Sequence, residues 1–214
     1  MKRNSLLLVL ITICSTVCMA SPQTLPEGRV VIQKTAGLPI TGTLFGHGET
    51  AVILASQGGT SESEWAFFAK ALATAGFTAL TLSSPDSQGD TVVLVGQAIR
   101  FLREQGFRRI ACGGASNGAS GCAFNATEPE VTGLLLVTYH GAANLSSLAI
   151  PKLFVVAEEA DPWRATTEVG FKKAGDPKTL VLVPGTSFTG PSILEIDQGI
   201  KEQAIAFLKK CNGL

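Results

Sequence analysis

The chain predicts an α/β domain, a mostly parallel sheet covered by helices on both faces and preceded by an antiparallel hairpin. Three observations carry that expectation. Short runs rich in Val, Ile and Leu alternate with segments whose apolar residues recur every three or four positions. Several runs, such as Ala51-Val52-Ile53-Leu54-Ala55 and Leu134-Leu135-Leu136-Val137, are apolar at every position, as strands buried on both faces require. Gly, Pro, Ser and Asp punctuate the alternation, and strands that alternate with helices pack as a parallel sheet.

The elements follow in order. Val30-Val31-Ile32 and Thr41 to Phe45 read as a hairpin around Gly37-Leu38-Pro39, and Gly46-His47-Gly48 turns into the strand Ala51 to Ala55. Ser61 and Glu64 have capping-box spacing and open a helix through Ala75 that Gly76 stops. Phe77 to Leu82 is the next strand. Asp90 caps a helix whose Val95, Ala98, Ile99 and Leu102 share one face, closing at Gly106. Ile110-Ala111-Cys112 is a strand leading to a sharp turn and a short helix. Leu134 to Thr138, Leu153 to Val156 and Leu180 to Val183 supply three more strands, and an amphipathic helix from Ile193 to Lys210 ends the chain. No repeat or linker divides it.

Lys2 and Arg3 precede the apolar run Leu6 to Val17, and Cys18-Met19-Ala20 offers small residues for cleavage. That pattern is a secretory signal peptide over residues 1–20, too short for a spanning helix. Residues 21–214 are then the mature domain, exported to the periplasm or the extracellular space with no stable membrane insertion. Cleavage removes two of the 17 basic residues and none of the 17 acidic ones, which leaves a slight acidic balance. Such a balance argues against a nucleic-acid partner. Of five cysteines, Cys112, Cys122 and Cys211 remain, which permits at most one bridge; for Cys112 a small buried apolar role is the simpler expectation.

The chemistry centres on Gly114-Ala115-Ser116-Asn117-Gly118, which follows the strand at Ile110. It reads G-x-S-x-G, a serine held on a strand-to-helix turn whose flanking glycines leave room for the neighbouring strand and helix. Ala55-Ser56-Gln57-Gly58-Gly59 closes an earlier strand, and Glu158-Glu159-Ala160-Asp161-Pro162 follows a later one. With the hairpin and strand order, these segments resemble the α/β-hydrolase superfamily, most closely its small lidless dienelactone-hydrolase-like members, from about Val30 to Cys211. The resemblance implies Ser116 as nucleophile, Asp161 as the orienting acid, and the backbone amides of Asn117 and of Gln57 or Gly58 as the oxyanion hole, with Gly114 and Gly118 as elbow glycines.

One departure governs the functional reading. The superfamily's histidine follows the last strand, where this chain reads Val183-Pro184-Gly185-Thr186-Ser187-Phe188-Thr189-Gly190. A serine hydroxyl is a poor nucleophile without a base. The chain has two histidines. His47 lies at the start of a strand whose other end carries Gln57, so it belongs to the wrong end of the sheet and reads as a solvated turn residue. His140 ends the strand parallel to that of Ser116, on the rim where such sheets bind ligands, at roughly 5–10 Å for strands about 4.8 Å apart. It is either a strand terminus bonded to a loop carbonyl, or a replacement base or substrate contact, imidazole being the side-chain type suited to proton transfer near neutral pH.

Other residues divide in the same way. Asp161-Pro162 is either the family's acid or a plain turn; Glu158 and Glu159 read as solvated. Trp65 and Trp163 either line a substrate site or anchor helices, and Ser83-Ser84-Pro85-Asp86-Ser87 is a rim loop. Two histidines and scattered cysteines make no ordinary zinc set, and no phosphate-binding or dinucleotide motif occurs, so no metal or cofactor is expected. Two functions remain: an exported serine hydrolase of small esters with an atypical base, taking a small-molecule substrate, or an inactive hydrolase-fold protein that binds or scaffolds.

Overall fold

The computed structural model describes residues 25–33 and 39–214. The expected signal peptide and residues 37–38 of the hairpin turn lie outside the described residues. The strands are β1 (Gly28–Gln33), β2 (Ile40–Phe45), β3 (Ala51–Gly58), β4 (Thr78–Ser84), β5 (Ile110–Ala115), β6 (Val131–Val137), β7 (Lys152–Ala157) and β8 (Lys178–Val183). They form one sheet in the order β1-β2-β4-β3-β5-β6-β7-β8. β1 with β2 and β2 with β4 are antiparallel, and every later pair is parallel. The fold class read from the sequence is therefore the one observed.

The helices are α1 (Ala66–Thr74), α2 (Gln88–Glu104), α3 (Asn117–Phe124), α4 (Trp163–Lys173), α5 (Ile193–Ile196) and α6 (Gln198–Asn212). Period-two alternation sends neighbouring strand residues to opposite faces. Ile53, Leu80 and Leu134 meet Val95, Ile99 and Ala119 of α2 and α3, while Leu54, Leu135 and Val155 meet Phe68, Leu72 and Leu208 of α1 and α6. Each of the Val, Leu, Ile and Phe side chains contributes about 1.5–3 kcal/mol by leaving water. The central strands are apolar at nearly every position because both faces are covered.

Three boundaries differ from the sequence reading. Ser87, not Asp90, caps α2: Ser87 is extended and its hydroxyl accepts the Asp90 amide at 3.4 Å. Ahead of α1 the chain forms a 3-10 turn over Glu62–Trp65, in which Ser61 accepts from the Ser63 amide while the Glu64 carboxylate turns away to Gln57 at the end of β3. The last helix is broken, because Asp197 adopts extended backbone and caps α6 through the Ile200 amide at 3.1 Å. Cys112 is also more than a small core residue. It is joined to Cys122 in a disulfide with a Cα separation of 5.4 Å, and Cys211 is left free and buried.

Candidate active site

Between β5 and α3 the chain reverses within a single residue. Ser116 sits there at φ 53° and ψ −115°, a backbone state that costs a non-glycine residue about 1–3 kcal/mol and persists only when its surroundings impose it. They do so through contacts that begin with the glycines. A Cβ on Gly114 would run into the Gly118 backbone, and one on Gly118 into the Ala55 backbone of β3. The Ser116 amide donates to Val137 O at 3.0 Å, its carbonyl accepts the Ser120 amide at 3.1 Å, and the disulfide ties β5 to α3 on either side of it.

His140 reaches this serine because β6 does not simply run on. Ala115 pairs with Val137, so the two strands end level. Thr138 then adopts φ 49°, its amide donating to Val155 O at 2.8 Å and its hydroxyl accepting the Gly190 amide at 3.4 Å. Tyr139 turns into the core, 5.8 Å edge-on to Phe154, and its carbonyl accepts the Thr167 hydroxyl at 2.9 Å. The chain folds back over the strand end, and His140 Nε2 lies 2.9 Å from Ser116 Oγ, both residues being half-buried. This is closer than strand spacing alone suggests, and the left-handed Thr138 is the reason. With Nε2 as the unprotonated nitrogen, a tautomer assigned from the contact, the serine hydroxyl donates to it. His47 is exposed at the opposite end, with Nδ1 3.1 Å from Leu25 O.

Asp161 is brought less close. It stands exposed in the turn after β7, and among the described residues no hydrogen bond joins it to His140. Its neighbour is Arg164, whose guanidinium is held further above its ordinary range chiefly by its hydrogen bond to Glu168, with Asp161 and Glu158 adding negative charge. Glu158 and Glu159 are exposed. What lies against the imidazole is Trp163, with ring centroids 5.5 Å apart and planes at 47°. Trp163 is 43% exposed, whereas Trp65 is fully buried with its indole N–H donating to Ala55 O at 3.0 Å, a packing anchor.

At the end of β3 the Glu64 carboxylate accepts from the Gln57 amide at 2.8 Å, from Gln57 Nε2 at 3.2 Å and from the Thr60 hydroxyl at 2.9 Å. The Gln57 amide is thus engaged. Among the described residues the amides of Gly58 and Asn117 make no hydrogen bond outside the regular ladders. Gly58 lies against the Asn117 side chain, whose Nδ2 donates to Asp86 O at 2.9 Å, so the Ser83–Ser87 loop does border the site. The part of Glu64 went unrecognised in the sequence, because its spacing from Ser61 imitates a helix cap. A cavity of about 510 Å³ lies beside the pair, lined by Tyr139, Gly141 and residues of α4 such as Val169 and Gly170.

No family model matches the chain, and no curated protein does. Among solved structures, the dienelactone hydrolase of Anabaena variabilis is similar over 89% of this chain and 99% of that one, with a TM-score of 0.71 at 20% identity. The architecture is the α/β-hydrolase fold, with Ser116 at its strand-to-helix elbow.

Proposed function

We propose that the chain is an exported serine hydrolase acting on small esters, with Ser116 as nucleophile and His140 as base. The observation that carries this reading is the 2.9 Å contact between Ser116 Oγ and His140 Nε2 at a strained elbow. Ser116 Oγ attacks the ester carbonyl as its proton passes to Nε2. The amides of Asn117 and Gly58 receive the oxyanion. The imidazolium then protonates the departing alkoxide, and water repeats the sequence on the acyl-enzyme. The hydrolase-like fold and the disulfide, which suits an oxidising compartment, support the same reading.

A second reading is an inactive binder or scaffold. The absence of a bond between Asp161 and His140 and the Glu64 carboxylate on the Gln57 amide favour it. Hydrolysis of p-nitrophenyl acetate by the purified protein decides between them. Hydrolysis that falls to background in Ser116→Ala supports the first reading. Equal rates in both proteins refute it.

A further inference from the structure

We propose that Trp163 is the positioning residue for His140, taking over by ring packing the orienting part that a carboxylate plays in a serine triad; this rests on the reading of Ser116 and His140 as nucleophile and base. In a triad the acid does two things: it fixes the imidazole so that Nε2 faces the serine, and it stabilises the imidazolium once the proton has moved. Among the described residues the imidazole has one hydrogen-bond partner, Ser116. A single bond at one corner of the ring leaves its rotation free. The indole closes that freedom, with its centroid 5.5 Å from the imidazole and its plane tilted by 47°.

The elements that carry the two rings are fixed to one another. Trp163 opens α4, and the Thr167 hydroxyl of the same helix donates to the carbonyl of Tyr139, the residue before His140. The start of α4 is itself held, with the Thr166 amide and hydroxyl both donating to Pro162 O. Packing does not account for Trp163, which is 43% exposed where Trp65 is fully buried. The competing acid, Asp161, is two residues away in sequence, stands exposed, and among the described residues makes no hydrogen bond to His140.

The indole also suits the second task. A cation within about 6 Å of a tryptophan ring is attracted to its face, and at an exposed site this is worth a few-fold in equilibrium or rate. That falls well short of the acid's contribution, which is roughly 10⁴-fold in comparable enzymes. A slow hydrolase follows, one whose base is held by shape more than by charge.

The test compares the full-length protein with Trp163→Phe, Trp163→Ala and Asp161→Asn, using p-nitrophenyl acetate kinetics, melting curves and the imidazole NMR signals of His140. Trp163→Ala is expected to lower kcat by about 5–50-fold with KM held within about two-fold, and Trp163→Phe to restore most of it. The His140 ring protons should show contacts with the indole in the wild-type protein and lose their ring-current shift in Trp163→Ala. A rise in KM with kcat unchanged would make Trp163 a substrate contact and overturn the proposal. So would a loss in Asp161→Asn as large as that in Trp163→Ala, or wild-type NMR spectra without indole contacts. No hydrolysis by any of the proteins, with the indole contacts present, would refute the hydrolase reading and leave the positioning contact standing.

Discussion

Ser116 and His140 meet at a distance across which a proton can pass, and the consequences at the residue scale follow from that contact. Removing the histidine from a complete triad costs roughly 10⁶-fold in turnover, and a missing acid already accounts for roughly 10⁴ of that. His140→Ala is therefore expected to lose only about 10²-fold in p-nitrophenyl acetate hydrolysis, against the larger loss of a full triad. A second residue makes a separate prediction. Burial pushes the Cys211 thiol up to about 11, so in the folded protein the thiol form is favoured. Iodoacetamide at pH 8 should leave Cys211 unmodified until the chain unfolds. The sign for stability follows: the thiol's contribution is whole below its ordinary value of 9.0 and is lost as pH rises towards 11. At this scale the sequence disclosed Ser116 and put His140 on the correct rim. It could not disclose the approach to 2.9 Å, because nothing in Thr138-Tyr139-His140 announces a left-handed threonine. Asp161 stood in the expected order along the chain, yet order does not aim a carboxylate.

At the scale of elements, the elbow is a strand, a strained serine and a helix bound at both ends. Cys112 in β5 and Cys122 in α3 close a loop of ten residues' separation around Ser116. Closing a loop of this size restricts the unfolded chain by about 2–4 kcal/mol. Reduction, or the Cys112→Ala/Cys122→Ala pair, is expected to lower stability by that amount in urea titrations and to slow reaction at Ser116 before global unfolding; unchanged stability would show that the bridge does not constrain the elbow. The elements themselves were largely legible. Apolar runs gave the strands, and three- and four-residue spacing gave the helices. Caps were less so, since several hydroxyls and carboxylates compete for the same amides: Ser87 took the place assigned to Asp90, and Asp197 broke a helix that its apolar pattern carries through. The Glu64 carboxylate turns from the capping position to hold Gln57 at the end of β3, a contact that the Ser61–Glu64 spacing does not announce.

Across the whole molecule, the order β1-β2-β4-β3-β5-β6-β7-β8 puts β5 beside β6 and brings the candidate nucleophile Ser116 and the candidate base His140 to adjacent strand ends on one rim. Asp161, after β7, lies one strand further out, and the segment after β8 carries no histidine, so the proposed pair is confined to the ends of β5 and β6. The loops of this rim carry the half-exposed Trp163 and the exposed Phe188. The account stands on Ser116 being an activated nucleophile. Labelling the folded protein with a fluorophosphonate and locating the adduct by mass spectrometry tests that most directly. The account predicts one adduct, on Ser116, formed far more slowly in His140→Ala. A folded protein that takes up no label, or takes it up at some other residue, would contradict it.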